Sequence, residues 1–343
     1  CIRGSLMVGE AAVERAVEEV EGKIELFVRR MRSVDPSAAV ARELYDVFYG
    51  SRGLSIGDHR EAAELLYAQA ALAVLLGATF YESVRARLGL PSVRSLPSAG
   101  WRDGLRRALE AVGEAGCPMC EAAGRVVEAL PPEVEGELKS LVKLAGRIAS
   151  SRTLLSMDFS GKVYHRVAGA WALRKHLATY YTSIPAAYLL AYLAASSGEG
   201  PPERVGDLAC GSGTLLTASY AALRDLYIRS ALERGEGVDL EGFHRRMLEE
   251  VLWGFDALRY AVQIASTNLA LQNPAVPVER MNMFAVPLGL RGKEVILGSL
   301  EFLRGRGAPS VAAFLEGEPA APGIELSLIH ISEPTRPRLI SYA

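Results

Sequence analysis

The chain is 343 residues long, carries a formal net charge of −2, and is 50% hydrophobic and 23% charged. That balance belongs to a packed globular chain long enough for two domains. It excludes a disordered polymer and a chain basic throughout of the kind that coats nucleic acid. Four scattered cysteines (Cys1, Cys117, Cys120, Cys210) are too few for a disulfide scaffold, so reducing, cytoplasmic surroundings are expected.

Residues 1–22 contain no apolar run of signal-peptide type. From about Ala11 to Arg32, apolar residues (Val13, Val17, Val20, Ile24, Phe27, Val28, Met31) recur at helical spacing between charges. Asp35-Pro36-Ser37 ends that helix and caps the next, which runs through Tyr45 and Phe48. After a Gly/Ser loop, Leu65–Tyr81 is nearly all apolar. Its shortness, its alanines and its flanking charges predict a buried helix rather than a membrane span. A loop with two prolines, Gly89–Gly100, leads to helices over Trp101–Val112, Glu121–Leu130 and Glu133–Ala149. No β-rich run occurs before about residue 200, so 1–160 reads as an all-helical domain. Cys117-Pro-Met-Cys120 has the spacing of half a zinc knuckle or of a redox pair. No second pair and no histidine at ligand spacing accompanies it, so the two read as ordinary loop cysteines and no metal is expected.

Two more helices read across Val163–Ala195, divided near Tyr180-Tyr-Thr-Ser183, and the loop Ser196–Pro202 leads into a strand over Arg204–Leu208. Asp207-Leu-Ala-Cys-Gly-Ser-Gly-Thr214 then reads as a strand end, a glycine turn and a helix start. Gly211 and Gly213 can take positive φ and let a ligand approach the backbone. Asp207 can accept a hydrogen bond from a cationic ligand, and the helix from Thr214 points free N–H groups into the same crevice. Together they describe a pocket for a zwitterion carrying a nucleoside. Cys210 reads as a small packing residue, since no base is paired with it in sequence. A charged helical insert is expected from about Ser230 to Glu250. A strand over Val251–Phe255 follows, ending at Asp256, then a helix over Ala257–Leu271 that Asn273-Pro274 stops. A third strand pair is expected around Glu279–Met283 and Glu294–Leu297. The alternation implies an α/β, doubly wound parallel sheet that binds ligands at the carboxyl ends of its strands. Asp256 stands at such an end, where ribose hydroxyls bind. It comes 49 positions after Asp207 rather than roughly 20, and the charged insert accounts for the excess. The turn lacks GxGxxG spacing, which disfavours a nicotinamide dinucleotide. Asp207, Asp256 and Thr182 each also have a plainer reading as helix caps.

DLACGSGTLL resembles the cofactor motif of S-adenosylmethionine-dependent DNA adenine methyltransferases, especially the modification subunits of restriction systems. Tyr181-Thr-Ser-Ile-Pro-Ala-Ala187 resembles their YTP-type motif, and Gly254–Leu271 (GFDALRYAVQIASTNLAL) resembles their second motif. The resemblance spans about Val163 to Leu300, and the preceding VYHRVAGAWALRKHLA and the helical N-terminal domain are similar to this family as well. It implies a Rossmann-like S-adenosylmethionine-dependent fold over 161–325, incomplete, behind the helical domain. It also implies S-adenosylmethionine at Thr182, Asp207, Ala209, Gly211, Gly213, Thr214, Asp256 and Ala257. The implied reaction is methyl transfer to the exocyclic amine of a flipped adenine in DNA. DNA and a specificity or restriction subunit are the implied partners, with no membrane. The Asn-Pro-Pro-aromatic motif that performs the transfer in this family is absent. Asn273-Pro274-Ala275 is a decoy that follows a helix and has no aromatic neighbour. A cytosine-amine or RNA methyltransferase, or a non-catalytic scaffold that binds a partner, are the alternatives. Lys162, His165, Arg166, Arg174, Lys175 and His176 could meet DNA phosphates or form a solvated helix face. Asn282 and Ser299 fall where the adenine ring of the cofactor would lie, without the acidic residue common there. The tail Leu326–Ala343 (LSLIHISEPTRPRLISYA) resembles two blocks of translated transposase-type sequencing adapter around an index at Pro337–Leu339. On that reading the natural sequence ends near Glu325 in a fragment of a longer protein, and the same tail should occur on unrelated proteins. The alternative is a natural disordered tail.

Overall fold

The computed structural model of the protein describes residues 2–49, 59–113, 116–151, 154–155, 161–163, 166, 182–198, 200–286, 288–291 and 294–297. Contacts group the chain into two compact units, Cys1–Val286 and Pro287–Ala343.

The first unit opens with a helical bundle: α1 (Ile2–Val34), α2 (Ala39–Tyr49), α3 (His59–Val84), α4 (Trp101–Gly113), α5 (Cys120–Ala129) and α6 (Glu135–Ala149). The long apolar helix α3 packs against α1, α2, α4, α5 and α6. Among the described helices it alone is long and apolar enough to cross a membrane, and 94% of that apolar window is buried. Here it is the central helix of the bundle, as expected for Leu65–Tyr81. Its small residues let neighbours come close: a Cβ on Gly77 would stand 2.9 Å from Cβ of Ala123 on α5.

Asp35 holds the first corner. Its carboxylate accepts the backbone N–H groups of Ala39 (2.9 Å), Val40 (3.0 Å) and Ala41 (3.2 Å), and the Tyr67 hydroxyl at 2.7 Å. It therefore caps α2, as its place before Pro36 predicts, and also ties that cap to α3. Cys117 and Cys120 depart from expectation. They are joined in a disulfide at the start of α5, with Cα atoms 5.4 Å apart, and both are buried. The turn through Pro118 and Met119 brings them within bonding reach, so they are not two independent loop thiols. Their state is no argument for reducing surroundings.

The chain continues through α7 (Ile184–Ser196), β1 (Val205–Asp207), α8 (Thr214–Glu233), α9 (Leu240–Arg246) with a π turn over Met247–Val251, β2 (Leu252–Asp256), α10 (Arg259–Ala270) and β3 (Asn282–Ala285). The three strands are parallel and lie in the order β1-β2-β3, with Asp207 opposite Gly254 and Asp256 opposite Ala285. Helix α8 packs on β1 and β2, α10 packs on β2 and β3, and the two helices touch. The described strands advance in one direction, so this is an α/β unit with a small parallel sheet; the reversal of a doubly wound sheet is not among them. Two local expectations shift. Helix α8 runs on through Ser230 to Glu233, so the charged insert starts later, as a loop and α9. In the second unit, β5 (Glu294–Leu297) pairs antiparallel with β4 (Leu288–Arg291) in a two-stranded sheet of its own.

Helix α10 is buried along nearly its whole length. Tyr260, Ala261 and Ile264 belong to the bundle core, whereas Ala265 and Leu269 belong to the sheet core. The Tyr260 hydroxyl donates to the Gln69 carbonyl at 2.9 Å, and its ring lies 4.7 Å from that of Phe48. Gln69 in turn donates its side-chain amide to the Tyr49 hydroxyl at 2.8 Å.

Replacing Asp35 by Ala leaves the Tyr67 hydroxyl and the first turn of α2 without their acceptor. The expected loss is about 2–4 kcal/mol in urea unfolding, against about 1 kcal/mol for Tyr67→Phe. Equal losses in the two variants would show that Asp35 is not the shared partner.

Candidate functional site

The stretch expected to bind a ligand forms at the carboxyl end of β1. Asp207 is the last residue of the strand, and its Oδ1 accepts the Ala209 N–H at 3.1 Å. The Cys210 N–H donates to the Phe255 carbonyl at 2.8 Å, which ties the turn to β2. The Gly213 N–H then donates to the Cys210 carbonyl, also at 2.8 Å. Helix α8 starts at Thr214, and Gly213 gives it no side-chain cap. Gly211 (φ 52°) and Gly213 (φ 86°) both adopt the left-handed backbone expected of them.

The two glycines differ in what surrounds them. A Cβ on Gly211 would meet nothing within 4 Å, so this position is open to a ligand. A Cβ on Gly213 would stand 2.8 Å from Cβ and 3.0 Å from Cα of Ala265. Gly213 is thus demanded by the approach of α10. Asn268 of α10 reinforces that approach by donating its side-chain amide to the Ser212 carbonyl at 2.9 Å.

Asp256 ends β2 beside the same turn. Its Oδ2 accepts the Gly211 N–H at 2.9 Å, and its Oδ1 accepts the Leu258 N–H at 2.9 Å. One carboxylate therefore holds both the glycine turn and the start of α10. Sequence reading placed Asp256 at the strand end but missed both this tie and the Asn268–Ser212 bond. The partners are 45 and 56 positions apart, and no local pattern marks such bonds.

Burial pushes the Asp207 carboxyl above its ordinary range; the Ala209 N–H works against this, and the neighbouring charge of Asp256 adds to it. Burial raises Asp256 too, opposed by N–H groups of Leu258, Gly211 and Ala257. Burial, and then both carboxylates, drive the Cys210 thiol far above its usual value. Cys210 stays protonated and packs in the sheet core, as its sequence context predicts.

Asp207, Ala209, Gly211, Gly213, Thr214, Asp256 and Ala257 are thus gathered around one turn. Ala209 and Ala257 are exposed, and Thr214 is buried in the first turn of α8. Thr182 is exposed and precedes α7, which lies along α8, where Tyr188 donates to Asp225 at 2.8 Å. Tyr181 lies outside the described residues, as do His165, Arg174, Lys175, His176, Ser299 and the 326–343 tail. Of the basic cluster, Arg166 is ion-paired with Glu14 and Glu21 of α1. Asn282 donates its side-chain amide to the Glu249 carbonyl at 2.9 Å. Among the described residues no group of three His, Cys, Asp or Glu side chains could hold a metal ion.

The arrangement suits a ligand with a cationic or hydroxyl-rich part: two partly desolvated carboxylates flank a backbone-open turn at a helix N-terminus. The chain matches no known protein family and no curated protein.

Alanine at Gly213 meets both a left-handed φ and the wall of α10. The expected loss is about 3 kcal/mol in urea unfolding, against about 1 kcal/mol for Gly211→Ala, where only the backbone is strained. A reversed order would place the tight packing at Gly211 instead.

Proposed function

We propose that residues 182–286 form the methyl-donor half of a Rossmann-like, S-adenosylmethionine-dependent DNA methyltransferase site, adenine-specific and cytoplasmic, that works with a specificity or restriction subunit. The observation that carries this reading is the convergence of Asp207, the open Gly211 turn and Asp256 at the carboxyl ends of two adjacent parallel strands. In this reading Asp207 and the α8 N-terminus bind the zwitterionic methionine part, with Thr182 near its carboxylate, and Asp256 binds the ribose. Ala209 and Ala257 leave the rim low enough for the ligand to enter. The cofactor supplies an electrophilic methyl group on its sulfonium, and this chain's residues hold and orient it. The adenine amine as acceptor, rather than a cytosine amine or an RNA base, rests on the motif resemblance.

One observation favours a second reading. Both Asp256 oxygens already accept backbone N–H groups, as a purely structural turn-holder would. In that case the turn is scaffold, and the bundle serves a partner subunit.

Titration calorimetry with S-adenosylmethionine on the full chain separates the two. The methyl-donor reading expects one site, weakened about tenfold or more by Asp207→Ala. The bound cation would also pull the raised Asp207 carboxyl back toward its ionised form. Binding would therefore release protons in mildly acidic buffer, and affinity would fall as pH drops through the Asp207 value of the free protein. A folded protein that takes up no S-adenosylmethionine would establish the scaffold reading.

A further inference from the structure

We propose that the cavity between the C-terminal half of α8, the end of α7 and α9 is a second ligand site, built for a small organic anion with a flat apolar body. The cavity holds about 840 Å³ and is lined by Tyr192 of α7, Leu223 and Tyr227 of α8, and Phe243, Arg246 and Met247 of the insert. That volume lies within the range of small-molecule pockets, and so does a mostly apolar wall with a few polar groups.

Its walls are fixed before any ligand arrives. The rings of Tyr227 and Phe243 stack 5.3 Å apart at an interplanar angle of 16°, and the Tyr227 hydroxyl accepts the Asp239 N–H at 3.1 Å. Asp239 also caps α9 by accepting the Gly242 N–H at 2.9 Å. The result is a braced aromatic wall that suits an apolar or aromatic partner.

The charges select the sign of the ligand. Arg229 and Arg234 line the cavity but are tied to Glu233 at 2.8 Å and Glu236 at 2.7 Å. Arg246 has no acidic partner among the described residues. Arg229–Glu233 and Arg234–Glu236 balance each other, and of the two remaining charged residues at the cavity Asp239 is held by the Gly242 N–H while Arg246 is left for a ligand. A carboxylate, sulfonate or phosphate on the ligand would complete the pair with Arg246.

The site is separate from the glycine turn. Thr214 and Arg229 mark the two sites along α8, roughly 20 Å apart at the helical rise. The proposal does not depend on a methyl donor binding at the turn.

The test uses 1-anilinonaphthalene-8-sulfonate, which joins a flat apolar naphthalene ring to an anionic sulfonate, titrated by fluorescence into the full chain with circular dichroism confirming the fold of each variant. One saturable site is expected, weakened about tenfold by Arg246→Gln and largely restored by Arg246→Lys. Leu226→Trp, which fills the cavity, should abolish it. Leu190→Gln, on the exposed apolar face of α7, should leave it unchanged, and so should excess S-adenosylmethionine. Binding that ignores Arg246→Gln and Leu226→Trp, that disappears with Leu190→Gln, or that S-adenosylmethionine displaces would overturn the proposal.

Discussion

The seat of α10 between two cores is the constraint on which the rest of the molecule depends. The helix gives Tyr260, Ala261 and Ile264 to the bundle and Ala265 and Leu269 to the sheet. An ordinary surface helix buries one stripe, whereas this one has no free face to leave in water. Ser266, Thr267 and Asn268 conform to that demand, whereas the side-chain oxygen of Gln263 is buried without a hydrogen bond. Ser266 and Thr267 donate back to the carbonyls of Val262 and Gln263, and Asn268 donates to Ser212. No hydroxyl or amide of this stretch is left to solvent.

The glycine turn takes its shape from that helix and from Asp256. Ala265 presses on Gly213 from one side, while Asp256 draws in the Gly211 N–H from the other. The sheet is also tight at Gly254, where a Cβ would stand 2.5 Å from the Met283 methyl and 2.8 Å from a Leu216 methyl, both ends of flexible side chains. A side chain there would have to push the Met283 and Leu216 ends aside, whereas at Gly213 it would meet the Cα and Cβ of Ala265, which have no such freedom. The region is pre-organised, and the carboxylates it holds are partly desolvated, so their charge is felt more strongly by anything bound beside them.

Legibility in the sequence followed the range of each interaction. The Asp35 cap, the burial of Leu65–Tyr81, the positive φ of Gly211 and Gly213 and the strand ends at Asp207 and Asp256 were all readable. Each depends on residues within a turn or on a short periodic pattern. The Cys117–Cys120 bond was misread because spacing alone does not say whether two thiols face each other. The end of α8 was placed too early because charges around Ser230 resemble a break, whereas ion pairs such as Arg229–Glu233 carry the helix on. The partner strand of Glu294–Leu297 was missed because a four-residue strand carries little pattern. The contacts of Asp256 and Asn268 were invisible for a deeper reason. They exist only once segments some 50 positions apart have met.

Tyr260 and Gln69 are separated by 191 positions, yet their hydrogen bond sits in the seam between bundle and sheet. Closing a loop of that size carries an entropy cost that must be met before the contact contributes anything. The bundle has a core of its own around α3, and most of that core involves no residue of the sheet. The sheet cannot settle independently, because α10 presents an apolar flank that only the bundle covers. Expressed alone, the 200–286 segment would therefore carry a sticky surface of Tyr260, Ala261 and Ile264 and tend to self-associate. In the intact chain the glycine turn rests on a helix whose other flank the bundle covers, so its shape depends on residues far outside the sheet.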